Sequence, residues 1–288
     1  MCRLFGFRSS IPAAVHPSLV TEKNSLLHQS REHKDGWGIA SYNTSDNPFV
    51  AHGLGPAHCD PDFERVSSQV SARTVVAHIR LASVGPVERT NAHPFTFGRW
   101  CFVHNGTLKN FAQHRARVEA LIHPDFRGRI RGDTDSERCF YVFLSRLAEQ
   151  RQCLVGAACV EKVARALAET MELVGGITDV SPEERSSMNF LVTNGDVMVA
   201  TRRNRTLFLS DTAPETGTMP HRPHAGPPRP GTRLEQFVLA SECLSGEDHW
   251  HAIPEDHIVG VDNGLVYHQW QVRDLAWKRD EAATAAAF

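Results

Sequence analysis

A cysteine stands second in this chain, in Met1-Cys2-Arg3-Leu4-Phe5-Gly6, at the head of a short apolar strand that reads from Met1 to Phe7. Initiator methionine is commonly trimmed when the next side chain is small. Trimming here leaves Cys2 with a thiol and a free α-amine on one residue. The amine titrates near ~7.7–8.0 and the thiol near ~8.5, so a proton moves between them at little cost near neutral pH. Such a terminal nucleophile needs no separate histidine, provided the first strand ends at the mouth of a cleft. Position alone favours a plainer reading, a small apolar residue opening a strand. The rest of the chain reverses that preference.

Composition narrows the setting. The 288 residues fit one or two domains, and 41% hydrophobic with 22% charged residues is ordinary for a globular chain with a sizeable core. A net charge of -2 gives no field favouring nucleic acid or an anionic membrane. The one local basic cluster, Arg127, Arg129 and Arg131, reads as a solvated loop. No apolar run approaches the ~18 to 20 residues of a membrane span, and no basic stretch leads into an apolar one at the start. Seven cysteines without framework spacing point to free thiols in a reducing compartment, so the expected location is the cytoplasm.

Strand patterns come first, helical ones next, and strands again from Asn189 onward. Helices are expected over Ser18–Ser30, Asp62–Val70, Leu108–Ile122, Arg138–Gln150 and Val160–Val174, the fourth behind a cap at Thr134-Asp135-Ser136-Glu137. Strands are expected at Ile39–Tyr42, Thr74–Arg80 and Trp100–His104, then in short hairpins between Phe190 and Trp270. The Pro- and Gly-rich stretch 212–232 reads as a mobile loop between strands. This order predicts a single α+β domain over 1–288 with stacked sheets.

Four segments carry chemistry together: Cys2, then His78-Ile79-Arg80, then His104-Asn105-Gly106, then Gly132-Asp133-Thr134-Asp135-Ser136-Glu137. Taken singly, Arg80 is as well a surface cation, Asn105-Gly106 a turn and Asp135 a helix cap. Taken together, they supply what hydrolysis of an amino acid's side-chain amide needs. Cys2 is the nucleophile. Asn105 and the N–H of Gly106 can stabilise the oxyanion, where each fixed donor is worth roughly 10²–10³ in rate. Arg80 suits an α-carboxylate, and Asp135 an α-ammonium.

In these segments the chain resembles the class II glutamine amidotransferases, N-terminal-nucleophile (Ntn) hydrolases that begin with a catalytic cysteine. It is most similar to their small stand-alone, YafJ-like branch and to relatives of the ergothioneine-pathway amidohydrolase. The same resemblance includes Asp35-Gly36-Trp37-Gly38 and Asn91-Ala92-His93-Pro94-Phe95, and covers mainly the first half of the chain. It implies a four-layer αββα sandwich of two stacked, mainly antiparallel sheets. It also implies Cys2, Asn105 and Gly106 as catalytic residues, and Arg80 and Asp135 as partners of the substrate's carboxylate and ammonium. Asp133 competes for the last role. His93 is expected near the site, and Trp37 with Gly38 as a wall beside the thiol.

The chain departs from the synthase-type members, which follow their arginine with Trp-Ala-Thr-His. Here the run is Leu81-Ala82-Ser83-Val84, which leaves room for a γ-glutamyl compound as well as free glutamine. Too few residues lie beyond the family-like fold for an acceptor domain. Either hydrolysis is the whole reaction or ammonia passes to a synthase or peptidase partner in trans. No cofactor or metal is expected. The clusters His52, His58, Cys59 and Asp248, His249, His251 lack paired ligand spacing despite 16 histidines in the chain. A papain-like pair of Cys101 and His104 is disfavoured, because those positions point to opposite faces of a strand. The competing non-enzymatic reading is a binding subunit of a larger amidotransferase or γ-glutamyl peptidase complex, and the oligomeric state is left open.

Overall fold

The computed structural model describes residues 2–43, 47–150, 158–210, 226–245 and 250–276. In chain order its elements are β1 (Arg3–Ala14), α1 (Leu26–Gln29), β2 (Trp37–Tyr42), β3 (Phe49–Gly53), α2 (Pro61–Gln69), β4 (Ser71–Ile79), β5 (Phe95–Phe97) and β6 (Trp100–Thr107). Then come α3 (Phe111–Ala120), α4 (Pro124–Arg127), α5 (Asp135–Glu149), α6 (Val160–Thr178), β7 (Ser187–Thr193), β8 (Met198–Arg202) and β9 (Phe208–Ser210). The last are β10 (Gln236–Ala240), β11 (His251–Ala252), β12 (His257–Val261), β13 (Tyr267–Gln271) and α7 (Val272–Ala276).

The described strands form two antiparallel sheets. One has seven strands in the order β11-β9-β10-β1-β4-β2-β3, the other six in the order β13-β12-β8-β7-β6-β5. Three apolar layers hold them, because successive side chains on a strand point to opposite faces. Leu4, Ala40 and Val76 of the first sheet meet Val103, Leu191, Met198 and Val259 of the second. On the outer face of the first sheet, Phe5, Phe7, Ile39 and Val75 pack on Leu26 of α1 and Phe63 and Val66 of α2. On the outer face of the second, Phe102, Phe190 and Val192 pack on Phe111 of α3, Phe140 and Leu144 of α5, and Leu167 and Met171 of α6. The result is the expected α+β, four-layer αββα sandwich.

Gly6 lies on the inter-sheet face of β1, where an added Cβ would come within 2.4 Å of Leu191 Cδ1. Its glycine lets the first strand lie close against the second sheet.

Some elements differ from expectation. Ser18–Ser30 is not one helix: a π-helical turn over Pro17–Thr21 is separated from the one-turn α1. Asn24 breaks it, giving its backbone N–H to the Leu244 carbonyl and its side-chain amide to the Cys243 carbonyl at 2.8 Å. β1 runs on to Ala14, twice as far as its apolar core suggests, because its later half pairs with the start of β4. The candidate loop 212–232 lies outside the described residues up to position 225, as do Asp248, His249 and the chain's end.

Candidate active site

Strand parity decides which side chains can meet. Cys2 precedes Leu4 by two residues and so shares its inter-sheet face. On β6, Cys101 and Val103 lie between the sheets while Trp100 and Phe102 face the helices. Asn105 therefore points between the sheets, toward the side of Cys2, and His104 points away. The Cys101 and His104 side chains do diverge, as expected.

The Cys2 sulfur accepts the Leu81 N–H at 3.4 Å and, as a thiol, faces the Leu81 carbonyl at 3.5 Å. Burial pushes the thiol pKa up; the Leu81 N–H and the Arg80 charge pull it down, and Asp135 pushes it up. The thiol, the guanidinium and the carboxylate thus act on one another within one site.

Arg80 follows β4 directly and is buried. Its Nη1 donates to the Pro86 carbonyl at 3.1 Å, and its Nη2 to those of Val84 at 3.0 Å and Gly85 at 3.2 Å. Burial lowers its pKa, while Cys2, Asp35 and Asp135 raise it. The backbone around it is fixed by the Asp35-Gly36 turn. Arg80 N–H donates to the Gly36 carbonyl at 2.8 Å, Asp35 N–H to the Arg80 carbonyl at 3.0 Å, and Ala82 N–H to Asp35 Oδ2 at 2.7 Å. Gly36 has φ +124°, and its missing side chain admits the Gly53 carbonyl. Asp35 thereby aims the Leu81 N–H at the thiol, a role that its place in Asp35-Gly36-Trp37-Gly38 did not disclose.

Asp135 opens α5 and is buried. Its Oδ2 accepts the Leu108 N–H and its Oδ1 the Ser136 N–H, both at 2.8 Å. Thr134 is the cap, accepting the Glu137 N–H at 3.2 Å. The Glu137 carboxylate reaches past the cap to the N–H groups of Arg131 at 2.9 Å and Gly132 at 2.8 Å, extending the expected capping pattern by a turn of loop. Asp133, the competitor, is exposed and pairs with Arg115 at 3.2 Å.

Asn105 Nδ2 donates to Ser241 Oγ at 2.9 Å, and the same oxygen accepts the Leu4 N–H at 3.0 Å. Ser241, just beyond β10, so ties the asparagine to the strand that starts at Cys2. It lies 136 residues from Asn105 in sequence, and no local pattern points to it. At Gly106 an added Cβ would fall 2.0 Å from the Ser187 carbonyl, which makes glycine obligatory there.

His93 is buried and stacks, with ring centroids 4.2 Å apart, on His78, which pairs with Leu4 and shares its inter-sheet face. His78 Nε2–H donates to the His104 carbonyl at 3.3 Å, and His104 sits between Ser136 Oγ and the Ser187 carbonyl, 2.9 Å from each. Burial drives the His78 pKa down to about 3 and holds His93 well below the usual imidazole range. The stack is neutral near pH 7. Gly38 faces it: a Cβ there would lie 2.0 Å from the His93 carbonyl.

Trp37 is a correction. Parity places it on the outer face of the first sheet, edge-on to Phe63 with its indole N–H on Asp60 Oδ2 at 2.8 Å, so it does not wall the cleft. The departing run after Arg80 is built into the site instead: Leu81 holds the sulfur, Val84 holds Arg80, and Ser83 Oγ meets Thr107 Oγ1 at 2.9 Å across the rim. Away from it, His52 meets the Pro94 carbonyl at 3.4 Å and His58 the Ser30 hydroxyl at 3.0 Å. Among the described residues, no three His, Cys, Asp or Glu side chains converge as metal ligands.

The arrangement combines a thiol, a cation, an anion and a carboxamide at one end of the inter-sheet layer. The chain is 27% identical over 296 residues to the probable glutamine amidotransferase DUG3 of Saccharomyces cerevisiae, covering 91% of this chain and 82% of that protein. It is 26% identical to the gamma-glutamyl-hercynylcysteine sulfoxide hydrolase of Mycolicibacterium smegmatis, covering 81% and 79%. The fold matches a glutamine aminotransferase class-II domain protein from Silicibacter pomeroyi with TM-score 0.64 at 19% identity, over 94% of this chain and 98% of that one. The family model for class II glutamine amidotransferases matches residues 1–285, and the chain belongs to that family.

Proposed function

We propose that this chain hydrolyses the side-chain amide of glutamine or of a γ-glutamyl compound through a thioester on Cys2. The observation that carries the reading is the position of the Cys2 sulfur, held by the Leu81 N–H within the fields of Arg80 and Asp135 and on the face shared with Asn105. Family membership supports the reaction class, and the likeness to a gamma-glutamyl-hercynylcysteine sulfoxide hydrolase favours a γ-glutamyl compound among the substrates.

With Met1 removed, the Cys2 amine takes the thiol proton as sulfur attacks the amide carbon. A thiol whose pKa burial has raised needs that base. The oxyanion is met by Asn105 and the Gly106 N–H. The amine returns the proton to the departing nitrogen, and ammonia or an amine leaves. Water, deprotonated by the same amine, resolves the thioester and releases glutamate. Released ammonia or amine is then available to a synthase or peptidase partner in trans.

Three carbonyls occupy three of the five Arg80 donors, both of Nη2 and one of Nη1, which leaves Nε–H or the second Nη1–H to meet a carboxylate oxygen. Asp135 Oδ1 accepts both the Ser136 N–H and, at 3.3 Å, the Ser136 hydroxyl, while Oδ2 accepts only the Leu108 N–H and retains a lone pair for an ammonium. His93 and Gly38 shape a wall between β6 and the first sheet. The reaction needs no metal or organic cofactor in this scheme, and the single domain carries all its groups.

Glutamate release from glutamine, γ-glutamyl peptides and γ-glutamyl amines tests the proposal, alongside the intact mass of the purified chain. Active protein lacking one methionine residue, and a Cys2→Ala variant that folds but releases no glutamate, are the expected results. Turnover by Cys2→Ala, or full activity with Met1 retained, sinks the mechanism.

A further inference from the structure

Asn91 ends the short 3-10 segment Arg89–Asn91 and is 0% exposed. Its Nδ2 donates to the Pro86 carbonyl at 3.1 Å, and its Oδ1 accepts the Asp133 N–H at 2.8 Å. The amide orientation is unambiguous, because one partner only accepts and the other only donates. The Pro86 carbonyl is also the acceptor for Arg80 Nη1 at 3.1 Å. Asp133 stands two residues before Asp135. A continuous run of hydrogen bonds therefore joins the guanidinium to the segment that carries the carboxylate, with Asn91 in its middle.

Two glycines make room for it. Gly85 adopts φ +74°, and a Cβ there would lie 3.0 Å from Asn91 Nδ2. A Cβ at Gly132 would lie 2.2 Å from Asn91 Oδ1. Both loops are shaped around this one side chain.

We propose that Asn91 is a positioning residue: it sets the separation of Arg80 and Asp135, and so makes the site selective for substrates bearing both an α-carboxylate and an α-ammonium. The inference rests on the proposed reading of those two residues as the partners of the zwitterion. In an amino acid the two charges are held at a fixed spacing by one carbon. Their protein partners sit on separate elements, the loop after β4 and the start of α5. Charge-assisted hydrogen bonds to both are made together only if the elements are locked to within about half an ångström. A ligand with one charge settles on one partner and needs no such lock.

The test measures binding by calorimetry, using the full chain with Cys2→Ala to prevent turnover. The probes are γ-L-glutamylglycine, glutarylglycine, which lacks the α-ammonium, and 4-aminobutanoylglycine, which lacks the α-carboxylate. The parent should prefer the intact probe. Asn91→Ala should weaken it about tenfold or more, the equivalent of one charge-assisted hydrogen bond, and weaken the single-charge probes by less than about threefold. Asn91→Asp, which keeps the shape but turns an oxygen toward the Pro86 carbonyl, should show the same signature if the alanine variant fails to fold. Equal losses for all three probes, or none, overturn the brace. A parent that does not discriminate among the probes overturns the zwitterion reading itself, and the brace with it.

Discussion

Asn105 carries a carboxamide oxygen that is buried and, among the described residues, has no partner. Meanwhile Ser241 Oγ accepts from both Leu4 N–H and Asn105 Nδ2. Turning the amide over lets the Ser241 hydroxyl donate to Oδ1 and presents the NH2 group to the cleft. An unpartnered buried oxygen costs about 1–3 kcal/mol, so an oxyanion in the cleft favours the turned form strongly. In the proposed reaction Ser241 then acts through Asn105, as a positioning residue for the charge that develops on the oxyanion. Ser241→Ala should lower kcat by about tenfold to a hundredfold with little change in KM, and Ser241→Thr should recover most of it. Steady-state kinetics on the best γ-glutamyl substrate checks this. A change in KM alone counts against it.

At the scale of elements, what the sequence discloses depends on parity. Alternation along β6 places Asn105 opposite His104 and separates His104 from Cys101 without any coordinates. The same reasoning fails at Trp37, because alternation says that Trp37 and Gly38 face opposite ways but not which of them faces the cleft. Helix α5 was legible because its cap and its apolar face lie close together in sequence. β5 and β11, of three and two residues, were not, since so short an edge strand carries too few residues for a period to show. Ser241, Asp35 and Asn91 escaped for a related reason: their work is done through hydrogen bonds to residues on other elements. Gly106 ties element to site. It pairs with Met188 on β7, and a Cβ there would meet the backbone carbonyl of Ser187, which cannot swing aside as a side chain could. Gly106→Ala should therefore prise β6 from β7. The expected loss is about 1–3 kcal/mol in urea denaturation, together with most of the turnover, because the shift moves Asn105. Unchanged stability would show that the two strands accommodate the methyl.

The molecule as a whole keeps several imidazoles neutral beside its reactive end, and that fixes how its stability depends on pH. Burial is the leading cause in each case: His78 falls to about 3 and His33 to about 4, and His52, His93 and His104 are also lowered. The His104 carbonyl that accepts its Nε2–H opposes the shift, while the charges of His104, Arg80 and His33 add to it. Unfolded, each histidine returns to about 6.5, so between that pH and its folded value the unfolded chain binds more protons. Stability contributed by these groups is thus fully present above about pH 6.5 and is lost as pH falls toward the folded values. Glu119, whose pKa is lowered by its bonds to Arg115 and Arg138 against its own desolvation, acts in the same direction in acid. For His78 alone the loss between pH 7 and pH 4 is on the order of 3 kcal/mol. His78→Gln removes that titration. Its free energy of unfolding should be lower than the parent's at pH 7, where a packed ring is lost, yet fall less steeply toward pH 4. Urea denaturation at both pH values, with unchanged m-values, measures the difference in slope. Parallel profiles would mean that the imidazole stack takes up protons in the folded state and is not the neutral pair that its burial implies.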